Sequence, residues 1–151
     1  MGNRFCIALA VFAVTLATGL PAAAGPALVG SVKTAEGACF VVRGGTQFPV
    51  SAGERLFLSD TLRTGGDGRL GAILRDDTTL SLGPDTELRV ECFAFEPARG
   101  ELEMVLRMLK GMASYISGQI AKLAPDAVRF ETPVATVGVR GTRFLARVTP
   151  E

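Results

Sequence analysis

Histidine is absent from all 151 residues. That removes Ser/His/Asp and Cys/His nucleophile–base pairs, HExxH zinc sites and imidazole proton shuttles. Tryptophan is missing too and tyrosine occurs once, so platforms for stacking sugars or bases are few. Charge of either sign is not in surplus: Lys+Arg number 16 against 15 Asp+Glu. Arg4, the one charge near the N-terminus, accounts for the difference. A neutral chain has no global field to hold a polyanion, so no nucleic-acid partner is expected. Cysteine occurs three times, and two cysteines without histidine do not make a zinc site. No cofactor and no metal are expected. What the chain does have is glycine, 18 residues of it, the mark of many turns.

The N-terminus reads as an export signal. Met1–Arg4 is short and weakly positive, Phe5–Leu20 is apolar apart from small residues, and Pro21 ends the run. Ala22-Ala23-Ala24 supplies the small side chains of an A-x-A cleavage site, placing the mature start at Gly25. An apolar run of this length falls short of the ~20 residues a comfortable membrane span needs. No later segment is long and apolar, so no membrane span is expected after cleavage. The expected organisation is a signal peptide over residues 1–24 and one domain over 25–151, exported and soluble in a periplasm. In that oxidising compartment Cys39 and Cys92 are either a disulfide or two separate buried thiols; the sequence carries no distance to choose between them.

The rest of the chain is short apolar runs separated by turn residues at Gly44-Gly45, Ser51–Glu54, Gly65–Gly68, Arg75–Asp77 and Gly83–Asp85. Leu80/Leu82 alternate with Thr79/Ser81, and Leu88/Val90/Cys92/Ala94 with Arg89/Glu91/Phe93/Phe95. Val128/Phe130/Thr132 alternate with Arg129/Glu131, and Phe144/Ala146/Val148 with Arg143/Leu145/Arg147. Period-two segments at this spacing predict an all-β domain. Residues 101–123 fit two templates. Leu102, Val105, Leu106, Leu109, Met112, Ala113, Ile116 and Ile120 share a helical face. Leu102, Met104, Leu106 and Met108 fit a strand equally well, and Gly111 and Gly118 suit strand corners better than helix interiors.

The string Thr132-Pro-Val-Ala-Thr-Val-Gly-Val-Arg-Gly-Thr142, followed by Arg143-Phe144, resembles the terminal signature of FecR-domain proteins. Gly53–Asp60 followed by Leu62-Arg-Thr-Gly65, Leu74–Pro84, Lys110-Gly111 and Tyr115–Gly118 are similar to that family's glycine-punctuated strands. The likeness runs from about Val29 to Val148. It implies a single compact β domain, solenoid-like or sandwich-like, in the periplasm. In the family's iron-transport regulators such a domain senses an occupied outer-membrane receptor and signals through a membrane helix to a sigma factor. The present sequence is expected to depart from that plan, with no anti-sigma segment and no helix after the domain, so only the periplasmic module is expected. The resemblance also tips residues 101–123 toward strands.

The family signature residues Thr132, Pro133, Gly138, Arg140, Gly141 and Thr142 are the leading site candidates. Arg140 between two glycines either presents its guanidinium to a partner's carboxylate or backbone, or pins a neighbouring strand at a corner where Gly138 and Gly141 supply unusual backbone angles. Arg129, Arg140, Arg143 and Arg147 make a basic strip, with Glu131 among them, which is either a solvated face or an anion site. Gly65-Gly66-Asp67-Gly68 is a calcium-type or an ordinary tight turn. Asp76-Asp77 and Asp85/Glu87 have the makings of an acid–base pair for glycoside cleavage, yet each falls in a turn where Asp is ordinary. The expectation is a non-enzymatic module for protein–protein contact or signal sensing in the bacterial envelope, with an envelope protein as partner. The alternative is a module binding cell-wall glycan or another envelope polymer.

Overall fold

The computed structural model describes residues 24–140 and 143–150. The expected leader lies, but for Ala24, outside the described residues, as do Gly141 and Thr142. Period-two alternation becomes strand wherever one face can be buried. In β7 (Thr79–Leu82) Leu80 and Leu82 are buried while Ser81 faces water. In β10 (Val128–Glu131) Val128 and Phe130 are buried and Arg129 is exposed. The other strands are β1 (Leu28–Glu36), β2 (Cys39–Arg43), β3 (Thr46–Pro49), β4 (Arg55–Phe57), β5 (Thr61–Thr64) and β6 (Arg69–Leu74). After β7 come β8 (Glu87–Glu96), β9 (Glu101–Ile116), β11 (Thr136–Gly138) and β12 (Arg143–Val148).

All twelve strands belong to one sheet, in the order β3-β2-β5-β8-β9-β7-β6-β1-β4, with β10 and β12 also on β9 and β11 on β10. The sheet curls into a half-barrel, so the fold is all-β and compact. Every pairing is antiparallel except β9 with β10. The curl encloses Leu56, Leu62, Leu80, Leu88, Met104, Leu106, Met108, Tyr115 and Phe130, none more than 1% exposed. Each such side chain contributes roughly 1.5–3 kcal/mol relative to leaving it in water.

The long strand β9 organises the sheet. Its first part pairs with β8 and β10, its second with β7 and β12. Because β7 and β8 lie end to end along it, residues 79–116 form one long hairpin bent at its middle. The bend falls at Gly111, whose φ of +95° is glycine territory. A Cβ there would stand 2.4 Å from Thr86 Cα and 2.7 Å from the Asp85 carbonyl oxygen. Residues 101–123 are therefore strand up to Ile116, and then a five-residue helix, α1 (Gln119–Leu123).

Buried polar side chains fasten the corners, each satisfied as burial requires. Thr64 Oγ1 accepts from the Thr86 amide at 2.9 Å and donates to the Gly83 carbonyl at 2.6 Å. Thr86 Oγ1 in turn accepts from the Met112 amide at 2.9 Å, beside the bend. Asp60, fully buried, takes Arg43 through both carboxylate oxygens (2.8 and 2.6 Å) and the Phe57 amide at 2.8 Å. Arg43 also lies 4.5 Å over the Phe57 ring, and the bond it donates to Asp60 lifts its pKa above the ordinary arginine value. Asp76, also fully buried, accepts from Thr78 Oγ1 at 2.9 Å and from the Ile120 amide at 3.2 Å, holding the start of α1.

Three local expectations need correction. The face assigned to Cys92 fails because the ladder between β8 and β9 slips between Val90 and Cys92. This bulge turns Phe93 inward, 8% exposed, and leaves Cys92 only half-buried. The disulfide option for Cys39 and Cys92 is not realised: both are free thiols. Cys39 is level with Thr64 on β5, and the Thr64 amide meets the Thr86 carbonyl just before β8. Cys92 lies about 20 Å further along β8 at the rise of a strand, beyond the Cα spacing a disulfide spans. Thirdly, Gly138 was expected to supply an unusual backbone angle, but it has no positive φ, lies in β11 and has open space where a Cβ would stand.

Candidate functional site: the C-terminal edge

Turn chemistry at the end of β10 sets the site. The Thr132 amide donates to the Ala135 carbonyl at 2.8 Å, and the Ala135 amide donates to Thr132 Oγ1 at 3.1 Å. This closed turn pushes Pro133 and Val134 outward, leaving Val134 89% exposed. Strand β11 then returns along β10 with all three residues exposed. Val139 is the one buried residue of the described signature, its amide 3.3 Å from the Val128 carbonyl.

Strand β12 docks by aromatic contact. Phe144 stacks on Tyr115 of β9, centroids 5.0 Å apart, and meets Phe130 of β10 edge-on at 5.2 Å. Such pairs add about 0.5–1.5 kcal/mol beyond the area they bury. Burial lifts the Tyr115 hydroxyl above its ordinary pKa. The opposite face of β12 carries Arg143, Leu145 and Arg147, all exposed, Leu145 by 66%.

Between the ends of β10 and β12 the edge of β9 is open around Leu109, because β10 stops opposite Arg107 and β12 stops opposite Gly111. A groove of about 570 Å³ forms there, lined by Leu109, Pro133, Val134, Val148 and Pro150 among others. A second groove of about 470 Å³ shares the segment Arg147–Pro150 and is bounded by Pro84, Lys110 and Met112.

The basic strip divides on inspection. Arg129 reaches Glu103 at 3.2 Å, and Arg107, not singled out from sequence, bridges Glu131 at 2.8 Å and Glu91 at 3.3 Å. Arg140 meets Asp126 at 3.1 Å, with both side chains more than four-fifths exposed. A pair so exposed stabilises little, so Arg140 pins no strand here. Arg143 and Arg147 have no ion pair among the described residues.

Of the acid–base candidates, Asp76 is enclosed as described, Asp77 Oδ2 accepts from Gln119 at 2.8 Å, Glu87 pairs with Arg63 at 3.1 Å, and Asp85 is exposed. In the glycine turn, Asp67 Oδ1 accepts from the Ala38 amide at 3.2 Å. No cluster of metal-ligating side chains occurs among the described residues, nor is any helix there long and apolar enough to cross a membrane. Sequence reasoning missed Leu109 and Val134 as surface features and the Tyr115–Phe144 stack. Its one available signal was Leu145, an apolar residue in the outward register of β12.

A family model described as FecR protein matches residues 60–151, from the residue before β5 onward. Strands β1–β4 precede that range, but β1 and β2 pair with β6 and β5 inside it and carry β4 and β3 on their outer sides, so all four complete the same sheet. No curated protein and no solved structure matches the chain. With more than half its length matched and an all-β fold bearing the signature on its last strands, the chain belongs to the FecR protein family, a family of envelope signalling and sensing.

Proposed function

We propose that this FecR-family protein is an exported, non-enzymatic module of the bacterial periplasm that works by protein–protein contact or signal sensing. One observation carries the reading: large apolar side chains stand in water on the C-terminal edge. Val134, Val137, Leu145 and Leu109 are between 42% and 89% exposed, and Val134 and Leu109 line one groove. Exposed apolar patches mark interaction surfaces. The non-enzymatic part is supported by the occupation of Asp76 and Asp77 in local hydrogen bonds, which leaves neither poised as an acid or base. Export is supported by the sequence of residues 1–24, which has the pattern of a cleavable signal. The aromatic rings of Phe130, Tyr115 and Phe144 are spent on one another rather than laid open as a sugar platform.

The test is capture from envelope extracts with the processed protein and with a Val134→Ser/Leu145→Ser variant. A defined protein retained by the first and lost by the second is the expected result. Retention on purified peptidoglycan without any protein would replace this reading by glycan binding. Capture of nothing under several growth conditions would refute it.

A further inference from the structure

Four strands of the sheet, β3, β4, β11 and β12, pair on one side only among the described residues. Three of them are blunted in the usual ways. β3 has four residues and ends on Pro49, while β4 and β11 have three residues each. β12 is different: six residues, no proline, held on β9 along its whole length. Its outer side makes no backbone hydrogen bond among the described residues. An unpaired edge of that length is a template for another strand.

The side chains beside the edge select what can pair there. Arg143, Leu145 and Arg147 alternate on the exposed face. Nearby Arg107, Arg129 and Arg140 each hold a carboxylate, whereas Arg143 and Arg147 hold none among the described residues. A second copy pairing antiparallel about Leu145 would set Arg143 against Arg147 twice, and like charges directly opposite repel. The chain's own N-terminal segment, Met1–Ala24, contains no acidic residue, so it offers no complement either.

We propose that the free edge of β12 receives an extended acidic segment of a partner protein as an added strand. Its carboxylates lie against Arg143 and Arg147, and an apolar side chain between them packs on Leu145. The added strand's backbone supplies affinity, and the acidic–apolar–acidic alternation supplies selectivity. This rests on the protein-contact reading above and names the chemistry of the contact.

The test uses the intact protein and three fluorescently labelled peptides read by anisotropy. One is the capped sequence Thr-Glu-Thr-Val-Thr-Glu-Thr, the second has Lys for both Glu, and the third is the first with alternate amides N-methylated. The acidic peptide is expected to bind, the N-methylated one to lose binding, and the Lys peptide not to bind. In the R143E/R147E variant the acidic peptide weakens by about tenfold or more and the preference reverses to the Lys peptide. Both arginines are exposed, so the variant should keep the wild-type unfolding midpoint; R143Q/R147Q serves if it does not. Equal binding of all three peptides, or no binding of the acidic one, overturns the proposal. Should an envelope protein be captured equally well by the charge-reversed variant, the edge assignment falls and the contact reading stands. Should wild type capture nothing, the contact reading falls, and the peptides still decide the chemistry of the edge.

Discussion

The corners of the sheet and its C-terminal edge use polar groups in opposite ways. At the corners, Asp60, Asp76, Thr64 and Thr86 are at most 3% exposed and every one is bonded to a backbone amide or a partner side chain. At the edge, Arg143 and Arg147 stand in water unpaired among the described residues, beside Leu145 and Val134. Satisfied polar groups inside define one geometry, because leaving any of them unpaired would cost the desolvation of that group. The unpaired, exposed groups outside are where interaction energy remains unspent. The first region is scaffold, and the second is the surface proposed above for partner contact.

That contrast can be broken most severely at the bend. Gly111→Ala should destabilise by about 4 kcal/mol, from the positive φ and the approach to the Thr86 and Asp85 backbone; urea unfolding measures it. Asp60→Ala comes next, at about 3 kcal/mol, since it strands the Arg43 guanidinium and the Phe57 amide. A loss below about 1 kcal/mol would mean the corner behaves like a surface pair.

The buried tyrosine gives a pH-dependent version of the test. Its folded-state pKa is raised by burial above the unfolded value of 10.0. Its stability contribution is therefore complete below that pH and is lost as pH rises through the folded value. Wild type should lose stability relative to Tyr115→Phe above pH 10.0, in step with phenolate absorbance from the only tyrosine in the chain. A constant difference across that range would place the ring in water. The smallest effect belongs to the edge: Val134→Ser and Leu145→Ser, 89% and 66% exposed, should each change stability by no more than about 0.5 kcal/mol.

Much of the scaffold was legible because a period of two needs only one buried face. β7, β10 and β12 follow it residue by residue. β9 was not legible for a physical reason: Met104, Val105 and Leu106 are all buried, so the strand has no consistently polar side and its apolar residues mimic a helical face. The face of Cys92 was lost at a bulge that exists only in the pairing of β8 with β9. At the candidate site, the signature string falls on the segment from the end of β10 towards β12, and Leu145 already stood out of pattern on β12. Which arginines would lie free was invisible, since Arg107 finds Glu131 only through the parallel register of β9 with β10. Sequence spacing carries periodicity; it does not carry register.

The division into scaffold and contact surface is tested most directly by site-specific photo-crosslinking in intact envelopes. A photoreactive residue is placed in turn at Val134 and Leu145 on the edge, and at Lys33 and Gln47, exposed positions on β1 and β3. Discrete protein adducts from the first pair and none from the second are the expected result. Adducts from Lys33 or Gln47 with silence at Val134 and Leu145 would contradict it.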